Sequence, residues 1–277
     1  MSPCNIGRST RGQGHLLVLH DTMVLDCPEL FDSGYARYAR ALFSYSVSGA
    51  DAILVPSIYT KNRIASRWPG APPIVVGHWP LVPTSRSRIS SRSRDILMVG
   101  ATEPHKRQAI GVRAVALARK MSGEDLRLTI LGPVGRAERR LEEEIKAVDP
   151  SEAWIARKTN APESELLDLY RSAWVLLQPS EMEGYGLPVG EAASAGIPVL
   201  HSGKGALSEI APKTVEAPDD AGSYAAEICM LLDEQRYSNA SAASLAAAGG
   251  HNTVRFAESV AQALSIVRPS TDQSRPA

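Results

Sequence analysis

Cysteine is scarce in this chain. The three present, Cys4, Cys27 and Cys229, lie far apart and show no paired or metal-ligand spacing. That excludes a disulfide scaffold and fits a reducing cytoplasm, with small buried thiols. Charge of one sign is also lacking: 30 Lys+Arg balance 30 Asp+Glu, so any case for nucleic acid or membrane binding has to be local. No nucleic-acid partner is expected. No apolar run approaches the ~20 residues of a membrane span. The first fourteen residues are polar, carry Arg8 and Arg11, and lack a signal-peptide core. Nothing directs export, and the expected location is cytoplasmic. No strand is followed by Gly-x-Gly-x-x-Gly, and no His/Cys/carboxylate cluster has metal-site spacing, so neither a dinucleotide fold nor a metal site is expected.

What is present is an ordinary globular composition, 44% hydrophobic and 22% charged over 277 residues. That length suits two modest α/β domains or one large one. The first residues, 1–15, carry no motif and read as disordered. Leu16-Leu17-Val18-Leu19 is a short strand ending at His20-Asp21, at the strand end where open α/β sheets place ligands. The alternative is that Asp21 caps the next turn and His20 packs. Tyr35, Tyr38, Ala39, Leu42, Phe43 and Tyr45 recur at helical spacing, as a core-packed amphipathic helix. Strands follow at 52–55 and 74–76, with Ser57 capping the helix between them. Residues 16–80 therefore read as a partial N-terminal Rossmann-like domain.

Residues 81–95 break the rhythm. Arg86, Arg88, Arg92 and Arg94 interleave with serines and Thr84 without apolar periodicity. The stretch reads as an interdomain linker; the other reading is peripheral contact with an anionic membrane at its inner face. A second α/β series spans 96–267, with strands at 96–99, 126–131, 153–156, 174–177 and 198–201. Asn160 and Glu163 have capping-box spacing. Helices at 221–232, 237–248 and 254–267 close the series, and 268–277 is a polar tail. The fold class is α/β, two parallel-sheet domains.

The most informative stretch runs from Pro179 to Glu191. Glu183 and Glu191, with seven residues between them, flank a Gly184-Tyr185-Gly186 turn where a strand hands over to a helix at 192–196. Backbone N–H groups and a helix N-terminus there suit a phosphate, and carboxylates suit sugar hydroxyls. An ordinary strand-loop-helix join explains one glycine but not the whole string. The loops at Gly100, Gly132 and Gly184 all follow strands, so right-handed crossovers place them at one sheet edge. Lys106, read as opening a helix, adds a cation to that edge. A phosphorylated sugar is the economical ligand.

These residues resemble a known family. Glu183-Gly184-Tyr185-Gly186-Leu187-Pro188 through Glu191, with Ser194-Ala195-Gly196-Ile197-Pro198-Val199 after it, is similar to the family 4 retaining glycosyltransferases of the GT-B fold. Val99-Gly100 with Glu103-Pro104-His105-Lys106 resembles the phosphate segment of that family, and His20-Asp21 its N-terminal His-Asp segment. The resemblance implies that Glu191 holds the ribose and that His20 and Glu183 serve the donor sugar. It further implies that Gly100, Gly132 and the amides of Gly184, Tyr185, Gly186 and Leu187 hold the sugar and diphosphate. Lys106 and Arg107 would neutralise the diphosphate without a metal ion or other cofactor. The implied activity moves a sugar, as in mannosyltransferases that use GDP-mannose, to a hydroxyl with retention, in polysaccharide or glycoconjugate biosynthesis. The partners implied are a nucleotide sugar and a glycan or lipid-linked acceptor; a homo-oligomer stays open. The chain departs from the pattern in two ways. His105 stands where the family usually has arginine, with Arg107 expected to point elsewhere on its helix. Only residues 1–15 precede the strand that carries His20, which leaves the N-terminal domain incomplete. A nucleotide-sugar-binding protein or subunit without catalysis is therefore the alternative reading. A nucleotide-sugar epimerase of the same fold fits the Glu-x7-Glu string poorly.

Overall fold

The computed structural model describes residues 14–81, 94–212 and 215–267. The chain folds as two units, Met1–Pro80 with His251–Ala277, and Leu81–Gly250. Residues 1–13 of the expected disordered start, most of the Arg/Ser-rich linker and the polar tail lie outside the described residues, while His15, expected to be disordered, donates its N–H to the Asp51 carboxylate at 2.8 Å.

In the first unit, β1 (Leu16–Val18) leads through α1 (Met23–Asp26) and a single 3-10 turn (Pro28–Leu30) to α2 (Ser33–Gly49). Strand β2 (Ala52–Val55), α3 (Ile58–Arg67) and β3 (Ile74–Val76) complete its N-terminal portion. The strands form one parallel sheet in the order β1-β2-β3, with Leu17 opposite Ile53 and Ile53 opposite Ile74. Helix starts are fixed by side chains: Asp32 accepts from the N–H groups of Gly34 and Tyr35, and Ser57 from that of Thr60. The tyrosines expected to pack with the core do not. Ala39, Phe43 and Val47 form the buried stripe of α2, while Tyr35, Tyr38 and Tyr45 are exposed.

Strand alternation explains what else this unit needs. Ile53 and Val55 face the cluster that includes Leu17, Phe43 and Ile64, so Leu54 between them points to the opposite face. A buried parallel sheet has to be covered on both faces. The second cover is the last helix, whose Phe256, Val260 and Ala263 recur at helical spacing and pack with Leu54 and Val75. The sequence reading placed that helix in the C-terminal domain. The structure returns it to the first unit, where its apolar stripe buries the sheet face that carries Leu54 and Val75.

In the second unit, β4 (Arg94–Val99), a 3-10 turn (Pro104–Lys106) and α4 (Gln108–Ser122) come first. Next are β5 (Leu126–Leu131), α5 (Glu138–Val148), β6 (Ile155–Lys158), α6 (Glu163–Ser172) and β7 (Val175–Gln178). Then follow α7 (Leu187–Ser194), β8 (Val199–His201), α8 (Leu207–Ile210), α9 (Ala221–Met230) and α10 (Glu234–Ala248). The returning helix of the first unit is α11 (Thr253–Ile266). The five strands are parallel in the order β6-β5-β4-β7-β8. Strand order reverses between β4 and β7, the topological switch point at whose carboxyl ends such sheets bind ligands.

Local differences from the expectations have local causes. Strand β6 starts at Ile155 instead of residue 153, because the Asp149 carboxylate takes the N–H groups of Ala153, Trp154 and Ile155 in a turn. The Asn160–Glu163 capping box does not form; Pro162 stands at the helix N-cap with extended backbone and no side-chain cap. Helix α7 begins at Leu187, five residues before the expected start, with Pro188 in its first turn. Glu191 therefore lies inside the helix.

Candidate functional site

The loops after β4, β5, β7 and β8 meet backbone to backbone. Gly132, at φ +149°, lies so close to the loop after β4 that a Cβ there would sit 2.2 Å from the Gly100 carbonyl oxygen. Gly205, at φ +68°, presses on the loop after β7; its Cβ would lie 2.4 Å from the Glu183 carbonyl oxygen. Only glycine permits both the conformation and the approach. The main chain adds stitches: Glu181 N–H donates to the His105 carbonyl at 2.7 Å, and Ala206 N–H to the Glu183 carbonyl at 3.0 Å.

Lys106 closes the 3-10 turn, and α4 starts only at Gln108, so this lysine does not open the helix as expected. Its Nζ donates to Glu183 Oε1 at 2.6 Å. The same oxygen accepts from Gln178 Nε2 at 2.9 Å and Ser180 Oγ at 2.8 Å. Gln178 Nε2 also donates to Ser180 Oγ. Burial alone would push the Glu183 carboxyl up; the nearby Lys106 charge and the three hydrogen bonds outweigh it and hold the group below the usual carboxylate range. Lys106 and Glu183 thus face each other as a fixed, mostly buried ion pair.

Glu191 is in the opposite condition. Its Oε2 accepts from the Tyr170 hydroxyl at 2.7 Å, and burial raises its carboxyl above the ordinary value despite that bond. Tyr170 itself is 1% exposed, and its hydroxyl is pushed well up by burial and by the Glu191 charge. The two glutamates of one loop and helix therefore differ: one is held ionised by a cation, the other is biased towards its neutral form.

Arg107 links the 3-10 turn to α4 in left-handed backbone, φ +52° and ψ +35°. Outside the regular helix, it is not carried away as expected: Nη2 reaches Glu181 Oε1 at 2.8 Å and Nη1 pairs with Asp219. Lys204, in the Gly203-Lys204-Gly205 turn, holds Asp219 Oδ1 at 2.8 Å. His105 is 7% exposed; burial and the Lys106 charge lower its pKa, favouring neutral imidazole, and its Nδ1 has no hydrogen-bond partner. Tyr185 and Gly186 are buried, Gly184 is half-buried, and Leu187 is exposed at the start of α7.

In the second unit Gly100 lies against Gly132 and Lys106, Lys106 pairs with Glu183, Arg107 with Glu181 of the same loop, Gly184, Tyr185, Gly186 and Leu187 follow in sequence, and Glu191 lies apart on Tyr170. His20 belongs to the first unit, exposed just past β1, with its ring 5.3 Å from that of Trp79. Asp21 accepts from the Met23 N–H at 2.8 Å, as the capping alternative requires. Sequence reasoning missed Tyr170, Gln178, Ser180, Glu181, Lys204 and Asp219. Gln178 carried a signal, a polar residue ending an apolar strand; the reach of Asp219 had none.

An all-parallel α/β unit with a charged loop cluster at its switch point defines a doubly wound fold class, and comparisons specify it. Residues 84–247, more than half of the chain, match the family model described as Glycosyl transferases group 1. The chain belongs to the group 1 glycosyltransferases, and its fold is of the GT-B type. O-antigen chain mannosyltransferase B of Escherichia coli is 25% identical over 236 residues, covering 79% of this chain and 61% of that protein. D-inositol 3-phosphate glycosyltransferase of Nocardia farcinica (strain IFM 10152) is 34% identical over 119 residues, 41% of this chain and 26% of that one. The chain therefore spans less than two thirds of either relative's length. Among solved structures, Anabaena Alr3699/HepE in complex with UDP and glucose has a TM-score of 0.75 at 17% identity, covering 91% of this chain and 71% of that one. Pneumococcal O-GlcNAc transferase GtfA in complex with UDP and GlcNAc has a TM-score of 0.68 at 23% identity, covering 82% and 48%. Among the described residues no helix is long and apolar enough to cross a membrane, and no cluster of His, Cys, Asp or Glu could hold a metal ion.

Proposed function

We propose that this chain is a retaining hexosyltransferase that moves mannose from a nucleoside diphosphate donor, GDP-mannose, to an acceptor hydroxyl. The acceptor is a glycan or lipid-linked glycan, in polysaccharide or glycoconjugate biosynthesis. The observation that carries the reading is the Lys106–Glu183 pair at the switch point, 2.6 Å between Nζ and Oε1. The mannosyltransferase name of the Escherichia coli relative supports the choice of sugar.

In this reading the C1–O bond of the donor sugar breaks and its electron pair passes to the diphosphate oxygen. The protein's task is to stabilise that charge and an oxocarbenium-like sugar. Lys106 and Arg107 supply cations, so no metal ion is required. The amides of Gly184, Tyr185, Gly186 and Leu187, at the N-terminus of α7, face the sugar and diphosphate together with Gly100 and Gly132. Glu191 accepts from the ribose hydroxyls. Glu183 holds Lys106 in place and lies beside the sugar. The enzyme works in the cytoplasm, peripheral to the inner face of the membrane, where a lipid-linked acceptor is presented.

A second reading, nucleotide-sugar binding without transfer, is favoured by one observation: the first unit's sheet has three strands among the described residues. Incubation with GDP-mannose, UDP-glucose and candidate lipid-linked glycans separates the two. Release of nucleoside diphosphate with a new glycosidic bond supports transfer; saturable binding without release supports the second reading.

A further inference from the structure

Lys106, Arg107 and Lys204 each already hold a carboxylate, but the carboxylates differ. The Glu183 side chain is 9% exposed and is fixed by Gln178 and Ser180 as well as Lys106. Those of Glu181 and Asp219 are 45% and 66% exposed. Glu183 has nowhere better to go. Glu181 and Asp219 can regain water on leaving, and an exposed pair favours the paired state by no more than roughly fivefold. The cations they hold sit in the loop cluster: Arg107 directly follows Lys106, and Lys204 directly precedes the glycine pressed on Glu183.

We propose that Glu181 and Asp219 form an exchangeable acidic latch on Arg107 and Lys204, displaced by the diphosphate of the incoming donor. The proposal rests on the nucleotide-sugar reading above. A diphosphate brings several charges and bidentate oxygens to a guanidinium that a carboxylate holds by one oxygen, so it wins the exchange. Carboxylates of the protein compete again once the sugar has left, because the product still carries the diphosphate. The latch weakens donor and product alike, so it shortens the residence of the diphosphate product as well as that of the donor. Lys106 stays on Glu183 throughout.

The test titrates UDP, GDP and inorganic pyrophosphate into the parent chain and into Glu181→Gln, Asp219→Asn and the double variant at low salt. The latch predicts binding about two- to sixfold tighter in the single variants and tighter still in the double variant, with salt narrowing the gap. Both carboxylates are exposed, and Asp220, which caps α9 at Ser223, is untouched, so the thermal midpoint stays put. Equal or weaker binding by the double variant overturns the latch and leaves the donor reading standing. If parent and variants bind none of the three probes, the latch falls together with the donor reading.

Discussion

Lys106 Nζ lies 2.6 Å from Glu183 Oε1 across 77 residues of sequence, joining the loops after two adjacent strands. The pair is mostly buried, so each partner is costly to remove alone. Lys106→Ala is expected to destabilise the second unit by about 3 kcal/mol, because it leaves a buried carboxylate unpaired. The double variant Lys106→Ala with Glu183→Gln recovers much of that loss. Urea unfolding of the single and double variants measures the coupling.

The same pair sets an acid dependence. Glu183 is lowered in the folded state, so its contribution is fully present above the ordinary carboxylate value of 4.5 and is lost as pH falls through the lower folded value. Glu183→Gln removes that loss. The difference in stability between parent and variant, followed from pH 7 downward, is expected to shrink only below about pH 4.5.

Glu191 runs the other way. Burial raises it, so its charged form costs stability as pH rises through the folded value, and neutral Glu191 is favoured below that. The Tyr170 hydroxyl partly offsets the burial. Tyr170→Phe is therefore expected to raise the Glu191 titration midpoint further, read from its carboxyl carbon resonance. Glu191→Ala is expected to weaken donor binding mainly, with turnover at saturation changed less.

Gly205→Ala puts a Cβ 2.4 Å from the Glu183 carbonyl oxygen at φ +68°. The loop after β7 has to shift, at a cost of about 2 kcal/mol or more. Unfolding in urea checks the stability, and a parallel titration of GDP should show weakened binding.

The returning helix makes a prediction for the first unit. Ala263 is 0% exposed and packs with Leu54 and Val75. Ala263→Asp buries a charge with no partner and is expected to cost about 3 kcal/mol or more, lifting α11 from the sheet. Hydrogen exchange of β2 and β3 should rise, while exchange in β4 and β5 stays unchanged.

Much of this was legible in the sequence, for identifiable reasons. Apolar runs such as Ile96 to Val99 and Val175 to Leu177 mark buried parallel strands, and the glycines of the Gly184-Tyr185-Gly186 turn mark where a strand hands over. Helix spacing alone could not assign α11, because its apolar stripe fits any sheet face and only the period-two alternation around Leu54 selects one. Side-chain partnerships across long separations were invisible: Tyr170 with Glu191 spans 21 residues and Arg107 with Asp219 spans 112. Arg107 was misread because its left-handed backbone breaks the helix that its sequence neighbours suggest.

In the proposed function the Lys106–Glu183 cluster receives the diphosphate of a nucleotide sugar. The most direct test is calorimetric titration of GDP-mannose, with UDP-glucose in parallel, in the presence of a chelator. The titrations use the parent chain and the Lys106→Ala, Glu183→Gln double variant. Saturable binding by the parent, weakened at least about tenfold in the folded double variant, is the result predicted for loss of a charge-assisted phosphate contact. Equal affinity in the two proteins, or no binding of either nucleotide sugar by the parent, would contradict it.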